Sequence, residues 1–214
     1  MNNSLVMSKT LRLESITCIR GGKTLFEDLS LEIQPGTILR IAGDNGSGKS
    51  SLLRILCGLL PVYSGQVFWG NDSIHYDRDE FNSELVYLGH IPALKADLTA
   101  IENLVHLALL GGFSISTADA LRALDQAGLA SQANRSIRTL SQGQKQRIAL
   151  ARLRLPNPKA LWILDEPFNA LDQQANQALQ SLLIQHVERG GIVAISSHQS
   201  LAIDDGPHVM RLSL

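Results

Sequence analysis

The sequence predicts an α/β fold with a β-rich beginning and a helical subdomain inserted into one domain. Apolar and polar residues alternate in Leu11–Glu14 and again in Leu29–Ile33, which is typical of half-buried strands. A short apolar run, Thr37–Ala42, then leads into a glycine-rich loop and an amphipathic helix. From about residue 95 to 155 the periodicity is helical throughout. Strands and helices that alternate on both sides of a helical stretch favour the α/β class.

The composition supports a folded domain with a sizeable core. Of the 214 residues, 44% are hydrophobic and 18% are charged. The 19 Lys and Arg residues nearly balance the 20 Asp and Glu residues, and the net charge of −1 predicts no global electrostatic attraction to nucleic acid, which leaves a local basic patch open. Cys18 and Cys57 show no metal or disulfide spacing, so we expect two packed core residues in a reducing compartment. Met1–Thr10 contains no apolar signal-peptide core, and no apolar run is long enough to span a membrane.

The elements around the glycine-rich loop follow from local signals. Pro35-Gly36 predicts a turn, and Thr37–Ala42 has the apolar character of a buried central strand, although Arg40 interrupts it. Leucines and isoleucines recur at helical spacing over 52–60, and we expect Pro61 to end that helix.

Helix signals mark the rest of the chain. Thr99 and Glu102 form a capping box that begins one helix, and Gly128 is a C-terminal stop signal for another. Trp69 and Trp162 fall on apolar strands and are expected in the core. The remaining predicted elements are strands at Gln66–Trp69, Leu85–Leu88, Ala160–Leu164, Ile192–Ser196 and Met210–Leu214, and helices over 100–110, 118–127, 142–155 and 172–189. We expect a single domain over residues 1–214, with its helical subdomain over about 91–156.

The glycine-rich loop predicts a phosphate-binding site. Gly43–Ser50 fits the pattern GxxxxGK[ST] between an apolar strand and a helix. Glycines let backbone amides turn inward around phosphate oxygens, and the helix N-terminus adds its positive end. Lys49 supplies a charge for the β- and γ-phosphates, and the Ser50 hydroxyl suits Mg²⁺. The candidate nucleotide ligands are Gly43, Asp44, Asn45, Gly46, Ser47, Gly48, Lys49, Ser50 and Ser51.

Two acids follow an apolar strand further along the chain. Leu161–Leu164 leads directly into Asp165 and Glu166, and a buried parallel strand would deliver both acids to the edge where the phosphate loop lies. Asp165 then suits Mg²⁺, and Glu166 suits the polarisation of a water that attacks the γ-phosphate.

A third element precedes these acids. Ser141 and Gln144 form a capping box at the start of a helix, whose amides make a second anion site. Taken alone, this pattern is that of an ordinary capped surface helix.

In this order the motifs resemble those of the ATPase subunits of ABC transporters over nearly the whole chain. The matching segments are Gly43–Ser50 for the Walker A motif, Leu140–Gln144 for the LSGGQ signature with Gln142 in place of its first glycine, Leu161–Glu166 for Walker B, Asn169–Asp172 for the D-loop, and His198 for the switch histidine. The resemblance implies a P-loop NTPase cassette with an antiparallel β subdomain and an inserted helical subdomain. It also implies ATP and Mg²⁺ as cofactors, Glu166 and His198 as catalytic groups, and a homodimer. In that dimer, Ser141, Gln142, Gly143 and Gln144 of one copy would face the ATP held by Lys49 of the other.

Two residues depart from the general pattern of ABC ATPases and point to one branch of that family. His90 occupies the position at which ABC ATPases have the Q-loop glutamine. The prediction for the magnesium site therefore extends to the His90 region. Arg20 stands where an aromatic ring usually stacks on adenine, and a guanidinium can stack in the same way. With these two residues, the chain resembles the haem-exporter ATPases of cytochrome c biogenesis, the CcmA type. The matching stretches are Cys18–Arg20, Tyr87–His90, Leu161–Phe168 and Gly190–Gln199.

This narrower resemblance implies a function and a location. The chain would hydrolyse ATP at the cytoplasmic face of the bacterial inner membrane, as a peripheral subunit bound to membrane-spanning permease subunits, which are CcmB and CcmC in the resembled family. The sequence contains no CxxCH motif, so we expect no covalent haem on this chain. Two alternatives stay open: the ATPase subunit of a lipoprotein, metal or drug transporter, and a nucleotide-gated assembly protein that transports nothing. A P-loop kinase is disfavoured by Leu140–Gln144.

Overall fold

The computed structural model describes residues 9–156, 159–199, 201–204 and 206–214. The prediction of no signal-peptide core in Met1–Thr10 therefore falls largely outside the described residues. The strands of the described part are β1 (Leu11–Arg20), β2 (Lys23–Ile33), β3 (Ile38–Ala42), β4 (Ser64–Trp69), β5 (Asp72–Ser73), β6 (Leu85–Leu88), β7 (Leu161–Asp165), β8 (Ile192–Ser196) and β9 (Val209–Ser213). The α-helices are α1 (Lys49–Leu56), α2 (Arg78–Ser83), α3 (Ala100–Leu110), α4 (Thr117–Gln126), α5 (Gln142–Ala151) and α6 (Gln173–Glu188). Single 3₁₀ turns lie at Ala130–Gln132, Ile137–Thr139 and Arg152–Arg154.

The strands form two sheets of different kinds, which confirms the predicted α/β class. An antiparallel sheet has the order β2-β1-β4-β5, and the other has the order β6-β7-β8-β3-β9. Every pair in the second sheet is parallel. Strands β7 and β8 are buried along their whole length, as strands covered on both faces must be.

The parallel sheet separates two packed layers. On one face, Leu39 and Ile41 of β3 pack with Leu53 of α1 and with Leu13 of the antiparallel sheet. On the other face, Ile38 joins a cluster that includes the apolar side of α6. Helix α1 therefore lies between the two sheets. Both cysteines are free and buried, and both tryptophans are buried, so these four predictions are confirmed.

The helical region has a core of its own. Leu104 of α3, Leu124 of α4 and Ile148 of α5 are buried in one cluster that extends to Leu155. The capping box predicted at Thr99 is present, because its hydroxyl accepts from Glu102 N and the Glu102 carboxylate accepts from Thr99 N. Helix α3 has the predicted bounds, and α4 is displaced from its predicted bounds by one residue.

Helix α1 ends earlier than its apolar pattern predicts. It stops at Leu56 rather than at Pro61, and Leu59 is 58% exposed. Gly58 adopts a left-handed φ of +65°, and the Arg78 guanidinium lies where a β-carbon on Gly58 would be. The chain therefore leaves the helix through this glycine, and the arginine that closes over it comes from α2.

Two further differences concern the short helical segments. Helix α5 was expected to reach residue 155 but ends at Ala151 and tightens into a 3₁₀ turn. Leu155 is extended because it precedes Pro156, whose ring disfavours an α conformation in the residue before it. Helix α2 was not predicted, and Asp77 caps it by accepting a hydrogen bond from Glu80 N. Among the described residues, the helices are all too short or too polar to cross a bilayer.

Candidate nucleotide site at the carboxyl edge of the parallel sheet

The phosphate loop connects the end of β3 to the start of α1. Gly43 has a φ of +145°, and a β-carbon there would lie 2.6 Å from Ser47 Oγ. Gly48 has a φ of +110° and packs against Phe26 of β2. Both positions require glycine, by backbone conformation and by the space available. The loop is thus held in the curled form that turns its amides toward one centre.

Lys49 begins α1 and is buried, with only 7% of its surface exposed. Its Nζ donates to the carbonyl oxygens of Gly43 and Asp44, each at 2.8 Å. No acidic residue lies in the first turn of α1, so the positive end of the helix is not neutralised from within. Ser47 Oγ is buried without a hydrogen-bond partner. This arrangement fits an anion with several oxygens.

Asp165, at the end of β7, is joined to this loop by a hydrogen bond. Ser50 Oγ donates to Asp165 Oδ1 at 3.0 Å, and Ser196 Oγ donates to the same oxygen at 2.8 Å. The other oxygen, Oδ2, is buried without a hydrogen-bond partner. A buried carboxylate oxygen that no donor satisfies is suited to a cation, and a hydroxyl together with a carboxylate suits Mg²⁺.

Glu166 follows directly and has a strained backbone, with a φ of +51°. Its amide donates to Ser196 Oγ at 3.1 Å, which holds the residue to the end of β8. The carboxylate is 7% exposed. Glu166 Oε2 accepts from His198 N at 3.3 Å, and Oε1 lies 3.2 Å from His198 Nε2. The structure therefore brings together four residues that the sequence singled out separately: Ser50, Asp165, Glu166 and His198.

Ser196 was missed by the sequence analysis. Its buried hydroxyl contacts both Asp165 and the amide of Glu166. The only signal in the sequence is a polar residue at the end of an otherwise apolar strand. Such a hydroxyl fixes the spacing of the two acids.

The signature segment lies on the helical part of the chain. The Ser141 hydroxyl accepts from Gln144 N at 3.2 Å, and Gln144 Oε1 accepts from Ser141 N at 2.9 Å, so the predicted capping box is present. Ser141 and Gln142 are exposed. Gly143 faces the D-loop, where a β-carbon would lie 2.6 Å from the Ala170 carbonyl oxygen. The chain accepts glutamine at 142 because that side chain is exposed, whereas position 143 has no room.

Helix α5 is also tied to the segment that follows Glu166. Gln146 Nε2 donates to the Pro167 carbonyl at 3.0 Å, and an Arg147 nitrogen lies 4.0 Å from the Asp172 carboxylate. These contacts were not foreseen, and they join the signature helix to the loop that carries the acids.

The two unusual residues lie at the margins of this site. Arg20 is exposed at the end of β1, beside the Gly21-Gly22 turn. His90 is exposed after β6. Its neighbours Gly89 and Ile91 line a cavity of about 120 Å³ that Asp165 also lines, so this segment reaches the edge of the magnesium candidate.

The comparisons with known proteins define the class first. The family model described as ABC transporter matches residues 26–169. A solved ATP-binding cassette, a dimer in a post-hydrolysis state bound to ADP and Pi, is 28% identical with a TM-score of 0.77, and the match covers 88% of each chain. A dimeric bacterial ABC transporter cassette is 26% identical with a TM-score of 0.79, covering 95% of this chain and 94% of its own. The chain has the fold of an ABC ATPase and belongs to that class of enzymes, which bind and hydrolyse ATP.

The curated relatives of this chain belong to one branch of the ABC ATPases. The cytochrome c biogenesis ATP-binding export protein CcmA of Dechloromonas aromatica is 43% identical over 92% of this chain and 96% of its own length. The protein of the same name from Shewanella oneidensis is 42% identical over 99% of this chain and 98% of its own. The Aliivibrio fischeri protein is 44% identical over 91% and 94%. The chain belongs to the CcmA family of ABC ATPases.

Proposed function

We propose that this chain is the ATP-hydrolysing subunit of a membrane complex that exports haem for cytochrome c biogenesis. The observation that carries the hydrolysis is the contact chain Ser50–Asp165–Ser196–Glu166, closed by His198 on the Glu166 carboxylate. The export role is supported by relatives that share more than 40% identity over nearly the whole chain. The functional unit is a single ATPase domain with a helical subdomain over about 91–156.

The geometry of the site supports one role for each of its residues. Residues Gly43–Ser51 hold the phosphates, with Lys49 turning from its loop carbonyls to the β- and γ-phosphates. Ser50 and Asp165 hold Mg²⁺, which neutralises charge on the phosphate oxygens when it is bound. Glu166 orients the attacking water as its general base. His198, with its side chain half exposed beside Glu166, contacts the γ-phosphate.

The second half of the nucleotide site comes from another copy of the chain. The start of α5 offers free amides and the hydroxyl of Ser141 toward solvent, with no acid in its first turn. Two copies placed head to tail would each close the other's phosphate loop with Ser141–Gln144. Arg20 stacks on the adenine from the β1 end, and the His90 segment lies on the magnesium side.

The complex sits at the cytoplasmic face of the bacterial inner membrane, where this chain is a peripheral subunit. Its partners are membrane-spanning permease subunits, CcmB and CcmC. Haem passes through those subunits and is not attached to this chain. Nucleic acid is not among its partners.

A matched pair of glutamine variants tests hydrolysis. Glu166→Gln keeps the size of the side chain but removes the base, so hydrolysis should slow by about 10²–10⁴ while ATP binding is retained. The variant should also accumulate as an ATP-bound dimer. The control is Glu188→Gln, an exposed carboxylate at the end of α6. Phosphate release, ATP affinity and molecular mass are measured on the complex purified in detergent. A wild-type rate of ATP hydrolysis in Glu166→Gln would contradict the proposed role of Glu166 as the general base.

A second experiment tests whether haem is the exported substrate. Cells that carry Glu166→Gln in place of the wild-type chain should lack mature c-type cytochromes, measured by haem-stained gels. Proteins that co-purify from solubilised membranes are identified in parallel. Normal cytochrome c maturation, or co-purification with a permease for lipoproteins, metals or drugs, would replace the haem role by another transport role.

A further inference from the structure

Arg40 is a charged residue in the middle of the parallel sheet. Its strand, β3, lies between β8 and β9, where Arg40 stands opposite Ile195 and Arg211. Only 7% of Arg40 is exposed. Central strands of parallel sheets are apolar on both faces, and a buried guanidinium is strongly unfavourable unless it is paired and fully hydrogen-bonded. None of the roles assigned to the nucleotide site accounts for this residue.

The guanidinium binds the backbone on both sides of His198. Arg40 Nη1 donates to the Ser197 carbonyl at 2.7 Å, and Nη2 donates to the Gln199 carbonyl at 2.6 Å. One planar group therefore joins the residues that precede and follow His198. Two short bonds from a rigid fork fix the direction of the intervening backbone better than a flexible ammonium could.

The third nitrogen of Arg40 anchors the far side of the same loop. Nε donates to Asp204 Oδ1 at 3.1 Å, with both side chains largely buried. Asp204 Oδ2 accepts from Leu201 N at 2.9 Å, and Asp204 N donates to the Leu201 carbonyl at 3.0 Å. Leu201 is itself buried in the cluster beneath α6. The loop after β8 is thus fastened to the sheet on either side of a half-exposed His198.

We propose that Arg40 is the positioning residue that holds His198 against Glu166. Arg40 touches neither the imidazole nor the Glu166 carboxylate, so it acts through the backbone of residues 197–199. That backbone sets the 3.3 Å contact of His198 N with Glu166 and the 3.2 Å approach of Nε2. The proposal rests on the proposed function, in which His198 contacts the γ-phosphate.

A double-mutant cycle tests this role in the purified complex. Arg40→Gln removes the guanidinium that bonds the Ser197 and Gln199 carbonyls, so His198 should shift. The variant should lower kcat by about 10- to 100-fold, because a displacement of about 1 Å at a reacting group has an effect of that size. KM should stay within about threefold, because the phosphate loop is untouched. In a His198→Ala background, Arg40→Gln should lower kcat no further. Arg40→Lys, which keeps the charge but not the fork, should fall between wild type and Arg40→Gln.

The control is Ile38→Ala, which removes buried packing from the same strand and the same face but takes away no side-chain hydrogen bond to residues 197–204. It should lower the melting temperature and leave kcat unchanged below that temperature. If Arg40→Gln does not fold, Asp204→Asn weakens the same attachment and replaces it in the cycle. Additive losses in the His198→Ala background, or an equal loss of kcat in Ile38→Ala, would overturn the proposal. A wild-type complex that hydrolyses no ATP would instead overturn the proposed function.

Discussion

The sheet region and the helical region each present one set of predicted nucleotide contacts, but they build them differently. In the sheet region, Lys49, Asp165 and Glu166 are buried and hydrogen-bonded to neighbours of the same chain. In the helical region, Ser141 is exposed, and its hydroxyl accepts from Gln144 N of its own capping box. The first set is held in place by contacts within one chain. The second set is a rigid helix start that needs a partner to face.

The difference between the buried set and the exposed set predicts which step a substitution in each set should affect. In the buried set, changes to Lys49 or Asp165 should alter ATP binding by a single chain, and a change to Glu166 should alter hydrolysis. Changes in the exposed set should leave that binding intact and alter only steps that need two copies.

The largest effect is expected for Lys49→Ala. Loss of a buried charge that pairs with phosphate costs about 2–5 kcal/mol, which corresponds to roughly 30- to 4,000-fold weaker ATP binding. Titration of the isolated chain with a fluorescent ATP analogue at fixed Mg²⁺ measures it. Arg122→Ala, an exposed cation on α4, is the control and should bind as wild type. Unchanged affinity in Lys49→Ala would show that the buried set does not hold the phosphates.

A pair of neighbouring substitutions probes the exposed set. Gly143→Ala forces a β-carbon to within 2.6 Å of the Ala170 carbonyl, so the signature helix must shift. We expect hydrolysis by the complex to fall by about tenfold or more, and the free energy of unfolding to fall by about 1–3 kcal/mol. Gln142→Ala should leave the free energy of unfolding unchanged, because that side chain is exposed in the single chain. ATP affinity of the single chain should be the same in both variants. A loss of that affinity in Gly143→Ala would contradict the contrast.

The pH dependence of stability also separates the two regions. His186 stacks on Trp162 with ring centroids 3.7 Å apart, and burial lowers the pKa of His186 to about 4. The unfolded residue titrates near 6.5, so the unfolded chain binds more protons between the two values. Stability of the sheet region should therefore be complete above about pH 7 and fall by up to about 3 kcal/mol as pH drops toward 4. His186→Phe should flatten this dependence, measured by urea unfolding across that range.

The helical region should respond at lower pH. Hydrogen bonds from the amide and hydroxyl of Thr99 lower the pKa of Glu102. The stability that this cap provides is present above the unfolded pKa of about 4.3 and is lost as pH falls through the folded value. Hydrogen exchange resolved by residue should therefore show the sheet region loosening first as pH falls from about 6.5 to 4.5, while the amides of α3 stay protected. Simultaneous loosening would contradict this order.

The parts of the fold that sequence predicted best are those with local causes. Helix α3 was predicted with its observed bounds because Thr99 and Glu102, three residues apart, specify its start. The end of α1 was predicted too late because its cause, Arg78 over Gly58, lies on another element. Helix α2 is short, and its one cap was not distinctive in the sequence.

The candidate site divides in the same way. The phosphate loop and the acid pair follow from contiguous motifs, so their positions could be predicted from sequence. Ser196 and Arg40 could not be given a role, because their partners come from other strands and loops. In the sequence, each is only a polar residue in an apolar strand. Their purpose becomes visible only when β3, β7 and β8 lie side by side.

The order of strands in the parallel sheet bears on how the chain is made. In the described part of the chain, strand β3, which ends in the phosphate loop, pairs with β8 and β9, and both leave the ribosome after the whole helical region. Synthesis proceeds at about 5–20 residues per second, so β3 waits on the order of ten seconds or more for these neighbours while local helical contacts form. We therefore expect the phosphate loop to be among the last parts to be completed. A chain cut before β8 lacks both strands that pair with β3, and we expect it to bind nucleotide more weakly than the finished subunit.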